Sequence, residues 1–141
     1  MQRVERAEVR VDGEVVGAIG AGLCVFVGVT HGDGDTEADR LAAKLAGLRI
    51  LDDDAGVMNR SVVEVGGEVL LVSQFTLYGD TAKGRRPTWN AAAPPEQAKP
   101  LLDRVAEGLS ATGLSVATGR FGEYMVVELV NDGPATVMVE V

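Results

Sequence analysis

The chain has 141 residues, a length that suits one compact domain spanning 1–141. Hydrophobic residues make up 46% and charged residues 24%, ordinary values for a globular chain with a sizeable core. A formal charge of −8 speaks against a protein that reads nucleic-acid backbone over a broad face, so no DNA partner is expected; the only dense basic stretch is Lys83-Gly84-Arg85-Arg86.

The opening "RVERAEVRVDGEVVGAIG" alternates Val4, Val9 and Val11 with charge, and Asp12-Gly13 marks a tight turn before Val15 and Val16. This predicts a β-hairpin. "LCVFVGV" is a continuous apolar, β-branched run between glycines, the pattern of a strand buried on both faces. The period then changes. Asp35 or Thr36 caps a helix, Glu37 and Asp39 suit its first turn, and Leu41, Leu45 and Leu48 form its apolar stripe. "LDDDAG" reads as a loop. "SVVEVGGEVLLVSQFTLYGD" reads as a hairpin turned at Gly66-Gly67, with its second strand extended from Val69 to Leu77. A proline-rich loop precedes a second amphipathic helix, whose stripe is Leu101, Leu102, Val105 and Leu109 and whose stop is Gly113. "YMVVELVNDGPATVMVEV" supplies two strands around an Asn-Asp-Gly-Pro turn. The expected class is α+β: a mostly antiparallel, twisted sheet system with two main helices.

No apolar run approaches the roughly 18 residues of a membrane span, and the first 20 residues lack the apolar core of a signal peptide. The single Cys24 rules out a disulfide framework, so a cytoplasmic location is expected, without a membrane partner. Familiar catalytic patterns are missing. His31 is alone in a Gly/Asp loop, Cys24 sits in an apolar strand, and no G-x-S-x-G elbow occurs. Asp33, Asp35 and Glu37 start like an EF-hand, but Ala38 stands where glycine is needed and Lys44 where the bidentate Glu belongs. "GAIGAG" misses the dinucleotide spacing, which leaves Gly17–Gly22 as turn formers. Neither a metal nor another cofactor is expected.

Two polar constellations stand out. In an extended "SQFTL", Gln74 and Thr76 share one face while Ser73 and Phe75 take the other. Such groups either read a ligand or satisfy a neighbouring loop. In "NDGPAT", Gly133 tolerates any φ and Pro134 removes a donor, so carbonyls are left free to point outward; a plain hairpin turn fits the same residues.

"SQFTL" paired with "NDGP-x-T" resembles the double motif of the D-aminoacyl-tRNA deacylases. The likeness extends through "QRVERAEV", "G-x-IGAGL", "KGRRPTW" and "TGRFG". It implies a barrel-like homodimer with the active site at the subunit interface, acting on the 3′ end of aminoacyl-tRNA. Such enzymes hydrolyse the ester of D-aminoacyl-tRNA, and of glycine mischarged on tRNA(Ala), while rejecting L-esters. By position, Ser73, Gln74, Phe75 and Thr76 would line the catalytic pocket. Gly133 and Pro134, joined by a cis peptide, would form the chirality filter inside the partner's site, with Arg3 fixing that loop. Ala135 departs from the bulkier apolar residue that members often carry.

An aminoacyl ester is already reactive, so the expected mechanism is positioning of water and ester. Main-chain N–H groups around Phe75 and Thr76 would hold the oxyanion, and the substrate's own 2′-hydroxyl would assist. Thr76 has no evident base to make it a nucleophile. A non-catalytic dimeric RNA- or nucleotide-binding module and a different small-ester hydrolase are the competing readings.

Overall fold

The computed structural model describes residues 1–141. β1 (Gln2–Val11) and β2 (Glu14–Ile19) form the expected hairpin, and both turn residues, Asp12 and Gly13, have positive φ (49° and 80°). β3 (Gly22–Val27) is the apolar run. α1 (Asp35–Gly47) starts one residue earlier than a side-chain cap at Asp35 requires: Gly34 is the N-cap, and its N–H donates to Glu37 Oε2 at 2.9 Å. Leu48 lies just beyond the helix, whose buried stripe is instead Ala38, Ala42, Leu45 and Ala46.

The stretch expected to be a plain loop holds a miniature hairpin, β4 (Leu51–Asp52) with β5 (Met58–Arg60). The Asp53 carboxylate organises it by accepting the amides of Ala55 and Val57 at 2.9 and 3.0 Å. Those hydrogen bonds, Val57's above all, hold its pKa below the usual carboxylate value.

The predicted hairpin across Gly66-Gly67 does not form. Ser61 and Glu64 cap each other's amides, at 2.6 Å for the Ser61 N–H and 3.2 Å for that of Glu64, and this S-x-x-E pairing coils "SVVEV" into successive turns despite its β-branched residues. β6 (Glu68–Ser73) follows alone. α2 (Pro95–Ser110) leads to β7 (Ser115–Thr118), a strand not anticipated from the sequence, and β8 (Val126–Thr136) is one long strand where two were expected.

The sheet runs β2-β1-β3-β6-β7, with β8 along the other edge of β1. It is mixed, which corrects the mostly antiparallel expectation: β3 pairs β6 in parallel, and β6 pairs β7 in parallel. The physical reason is that α1 lies between β3 and β6 in the chain and α2 between β6 and β7, so each crossover brings the chain back to the end it started from.

Side-chain alternation along the central strands feeds two cores. Leu23, Val25, Val27, Val69 and Leu71 face the helices, where Leu45, Val105 and Leu109 meet them. Cys24, Leu70 and Val72 point the other way, into a smaller core with Val4, Val9 and Ile19 from the hairpin. Strands apolar on both faces are what such a position demands. The sheet curls nearly into a barrel, and β2 approaches β7 at Gly17. A Cβ there would lie 2.4 Å from the Thr118 carbonyl oxygen, so Gly17 is a close-approach residue in mid-strand and not a turn former.

Gly17→Ala is therefore expected to destabilise the fold by about 1–3 kcal/mol. Gly47→Ala, at a site with nothing within 4 Å, should be neutral or stabilising by up to about 1 kcal/mol. Denaturant melts of the two variants check the contrast.

Candidate active site

Ser73 ends β6 opposite Val27 of β3, so both parallel strands finish at the same edge. The strand was expected to continue to Leu77. Instead the Gln74 amide makes a last bond to the Val27 carbonyl (2.8 Å) and the chain winds into one 3₁₀ turn, Phe75–Tyr78. Gly28 permits this, because a Cβ there would stand 3.1 Å from the Tyr78 ring and 3.2 Å from the Gln74 oxygen. Gln74 and Thr76 still meet, through the turn and not through strand alternation: the Gln74 amide Nε2 donates to Thr76 Oγ1. An amide donor cannot remove the Thr76 proton, so the contact orients the hydroxyl without activating it.

The amides of Phe75 and Thr76 open the turn and have no acceptor within it. Phe75 stands out from the turn and meets Trp89 edge to face, with centroids 5.4 Å apart and planes at 76°. Gly79 makes room for that indole, since its Cβ would fall 2.6 Å from the Trp89 ring.

These residues form one wall of a cavity of about 760 Å³. Its apolar floor includes Val27, Val29 and Val72, and all four residues singled out in the sequence, Ser73, Gln74, Phe75 and Thr76, line it. Sequence reasoning missed the opposite wall, Phe121 to Met125, and Trp89 beside the turn. The aromatic residues in "TGRFGEYM" and "RPTW" were the available signal, and the glycines near Phe121 mark where the chain bends around it. Tyr124 stands at the rim, 89% exposed.

Arg3, Gly133 and Pro134 do not line this cavity. They form a second constellation on the β1–β8 ladder. Gln2 pairs with Thr136 and Val4 with Asn131, so Asp132–Ala135 bulge out opposite Arg3 alone. The predicted turn between two strands is thus a bulge within one. The buried Arg3 guanidinium fills the space beneath it: Nε donates to the Asp132 carbonyl (2.9 Å), and Nη1 donates to the Ile50 carbonyl (3.1 Å) and Asp52 Oδ1 (3.0 Å). Asn131 closes the base by accepting the Ala135 amide (2.9 Å) and donating to Gln2 Oε1 (3.0 Å). The Gly133-Pro134 peptide is cis and both residues are exposed, while the small Ala135 is buried. Gly133 has φ 139°, and a Cβ would come within 2.8 Å of the Ala135 nitrogen and 3.1 Å of the Arg3 guanidinium.

The other candidates serve structure. The His31 ring donates from Nε2 to the Asn90 carbonyl (2.7 Å) and, with Thr30 on Ala91 (2.6 Å), ties two loops together. No group of three or more His, Cys, Asp and Glu side chains is arranged to hold a metal ion, and no helix is long and apolar enough to cross a membrane. Cys24 is fully buried, and loss of hydration pushes its thiol up to about 11. The folded state thus favours the thiol over the thiolate. That contribution to stability is complete below the ordinary value of 9.0 and is lost as the pH rises through about 11. Iodoacetamide at pH 8 should leave the native protein unmodified and label it fully once it is unfolded, as mass spectrometry would show.

The model of the D-Tyr-tRNA(Tyr) deacylase family matches residues 1–140. The chain is 58% identical to the D-aminoacyl-tRNA deacylase of Heliobacterium modesticaldum over 140 residues, covering 99% of this chain and 93% of the relative. It is also 58% identical to that of Kineococcus radiotolerans, covering 99% and 96%. Among solved structures, that of a c-Myc DNA Unwinding Element Binding Protein superposes with a TM-score of 0.92 at 40% identity, over 99% of this chain and 95% of that one. A probable eukaryotic D-amino acid tRNA deacylase shares the fold, with a TM-score of 0.79 at 17% identity over 94% and 92%. With its barrel-like mixed sheet, its lined cavity and this whole-length similarity, the chain belongs to the D-Tyr-tRNA(Tyr) deacylase family.

Proposed function

We propose that this chain, acting as a single domain over 1–141, hydrolyses the ester of D-aminoacyl-tRNA in the cavity bounded by Ser73–Thr76. Membership of the family makes it a D-aminoacyl-tRNA deacylase, an ester hydrolase with aminoacyl-tRNA as substrate. The observation that carries the siting is the pair of amides at Phe75 and Thr76, which open a 3₁₀ turn at the cavity wall. Two adjacent N–H groups without an intrahelical partner are the donors a developing oxyanion needs. Ser73 and Gln74 hold the aminoacyl group, Phe75 offers its ring to the terminal adenosine, and Thr76 is oriented by Gln74. Since that contact supplies no base, the substrate's vicinal 2′-hydroxyl assists attack by water.

The chirality filter is the main chain of Gly133 and Pro134, seated in the cavity of a second subunit. Three features support this. The bulge is exposed and lies outside its own chain's cavity. Arg3 holds it from below through Asp132. Apolar side chains along the same C-terminal segment, Val126 and Met138 among them, are exposed in the single chain, as they would be if a homodimer covered them. A filter that excludes a side chain sterically admits glycine, so glycine mischarged on tRNA(Ala) is a substrate too. The proposed location is the cytoplasm, where charged tRNA is used. The 40%-identical solved structure bears the name of a DNA-binding protein; a net charge of −8 gives this chain little to grip a duplex with.

Purified protein should deacylate D-Tyr-tRNA and leave L-Tyr-tRNA at its spontaneous rate. Equal rates on the two esters, or none on the D ester, would refute the proposal. Thr76→Ala should lower kcat roughly tenfold, a loss of about 1.4 kcal/mol, and acid quenching of the wild type should trap no acyl-enzyme. Abolished turnover together with a trapped ester on Thr76 would instead make it the nucleophile.

A further inference from the structure

The basic stretch Lys83-Gly84-Arg85-Arg86 lies in a chain segment with a defined anchor. Asp80 and Thr88 exchange backbone hydrogen bonds (2.9 and 3.0 Å), and Asp80 Oδ1 accepts the Ala82 amide (2.8 Å), so residues 81–87 form a closed loop. Both ends of that loop adjoin elements of the cavity wall, the 3₁₀ turn and Trp89. On one side Gly79 ends the 3₁₀ turn; on the other Trp89 packs on Phe75 and against Gly79. Three residues of chain reach at most about 11 Å, so Arg86 is held close to the Trp89 rim.

Seven of the ten cations outside this loop are ion-paired. Arg3, Arg6, Arg10, Arg60 and Arg104 each face a carboxylate within ion-pair distance. Lys83, Arg85 and Arg86 make no ion pair and no side-chain hydrogen bond, and all three are exposed. In a chain of net charge −8, an uncompensated cluster of cations at the mouth of the substrate cavity sets up a local field opposite in sign to the whole.

We infer that this loop grips the phosphates of the single-stranded 3′ end of the tRNA as that strand enters the cavity. The inference rests on the deacylase reading above and adds a substrate-binding surface to it. Recognition is through point charges and backbone phosphates, independent of base sequence. The glycine between Lys83 and Arg85, at φ 76°, lets the loop turn back on itself with nothing within 4 Å of the position a Cβ would take, so the strand approaches unobstructed.

The test measures binding, so that it stands apart from turnover. Fluorescence anisotropy compares the wild type with Lys83→Ala/Arg85→Ala/Arg86→Ala, using uncharged tRNA, the same tRNA lacking its single-stranded 3′ end, and a duplex DNA. The triple variant should bind intact tRNA about tenfold more weakly in dilute salt. The slope of log Kd against log salt should fall by about 2, near 0.7 for each phosphate that is no longer neutralised. Removing the 3′ end should abolish the difference between the two proteins. Arg85→Lys/Arg86→Lys keeps the charges and should keep the binding. Equal affinities, an unchanged salt slope, or an equal loss on tRNA without its 3′ end would overturn the inference, as would a larger loss on duplex DNA than on tRNA. Failure of the wild type to hydrolyse D-esters while the loop-dependent binding persists would count against the catalytic reading and leave the grip standing.

Discussion

The parallel pairing of β3 with β6 is the constraint from which most of this structure follows. Gly22 starts that ladder so close to Glu68 that a Cβ would fall 1.9 Å from its carbonyl oxygen, and Val27 opposite Ser73 ends it. Parallel neighbours require a crossover, so α1 lies over one face of the sheet. The two strands are therefore covered on both sides, by helices on one and by the curled hairpin on the other. Because they run the same way, both deliver their C-terminal ends to one place. There the ladder stops, the backbone leaves extended geometry, and a cavity opens over Val27, Val29 and Val72.

The sequence was informative wherever local pattern and tertiary demand agreed. The Asp12-Gly13 hairpin, the doubly buried "LCVFVGV" and the two amphipathic helices all show their burial in their period. It was misleading where a local polar contact outweighed propensity. "SVVEV" has the composition of a strand, yet Ser61 and Glu64 cap one another and bend it. "SQFTLY" has it too, yet the packing of Tyr78 on Gly28 and of Trp89 on Gly79 favours a 3₁₀ turn. Neither Gly28 nor Gly79 is a near neighbour in sequence of the ring it accommodates, so no reading of a short window reveals the fit. The mixed sheet was hidden for a related reason: β7 is four residues long, and all of α2 stands between it and its partner β6 in the chain.

The candidate site residues divide in the same way. Ser73, Gln74, Phe75 and Thr76 are contiguous and were legible together. Phe121, Tyr124 and Met125 reach the cavity only because β8 follows them back along β1. Arg3 is singled out by resemblance alone, since a lone cation near the start of a strand carries no local signal. A buried cation at the second position of β1 is satisfied by two carbonyls and a carboxylate drawn from β8 and from either side of the start of β4. It thereby ties the Asp132 end of the bulge to β1 and to the start of β4.

In the catalytic reading proposed above, the decisive groups at the opening of the 3₁₀ turn are amide protons, atoms that every residue except proline possesses. Truncating the side chains around it one at a time would therefore understate what such a turn contributes. Such a locus is close to invisible in a mutational scan confined to side-chain deletion. It shows itself when the peptide group is altered, for instance by an ester in place of the amide.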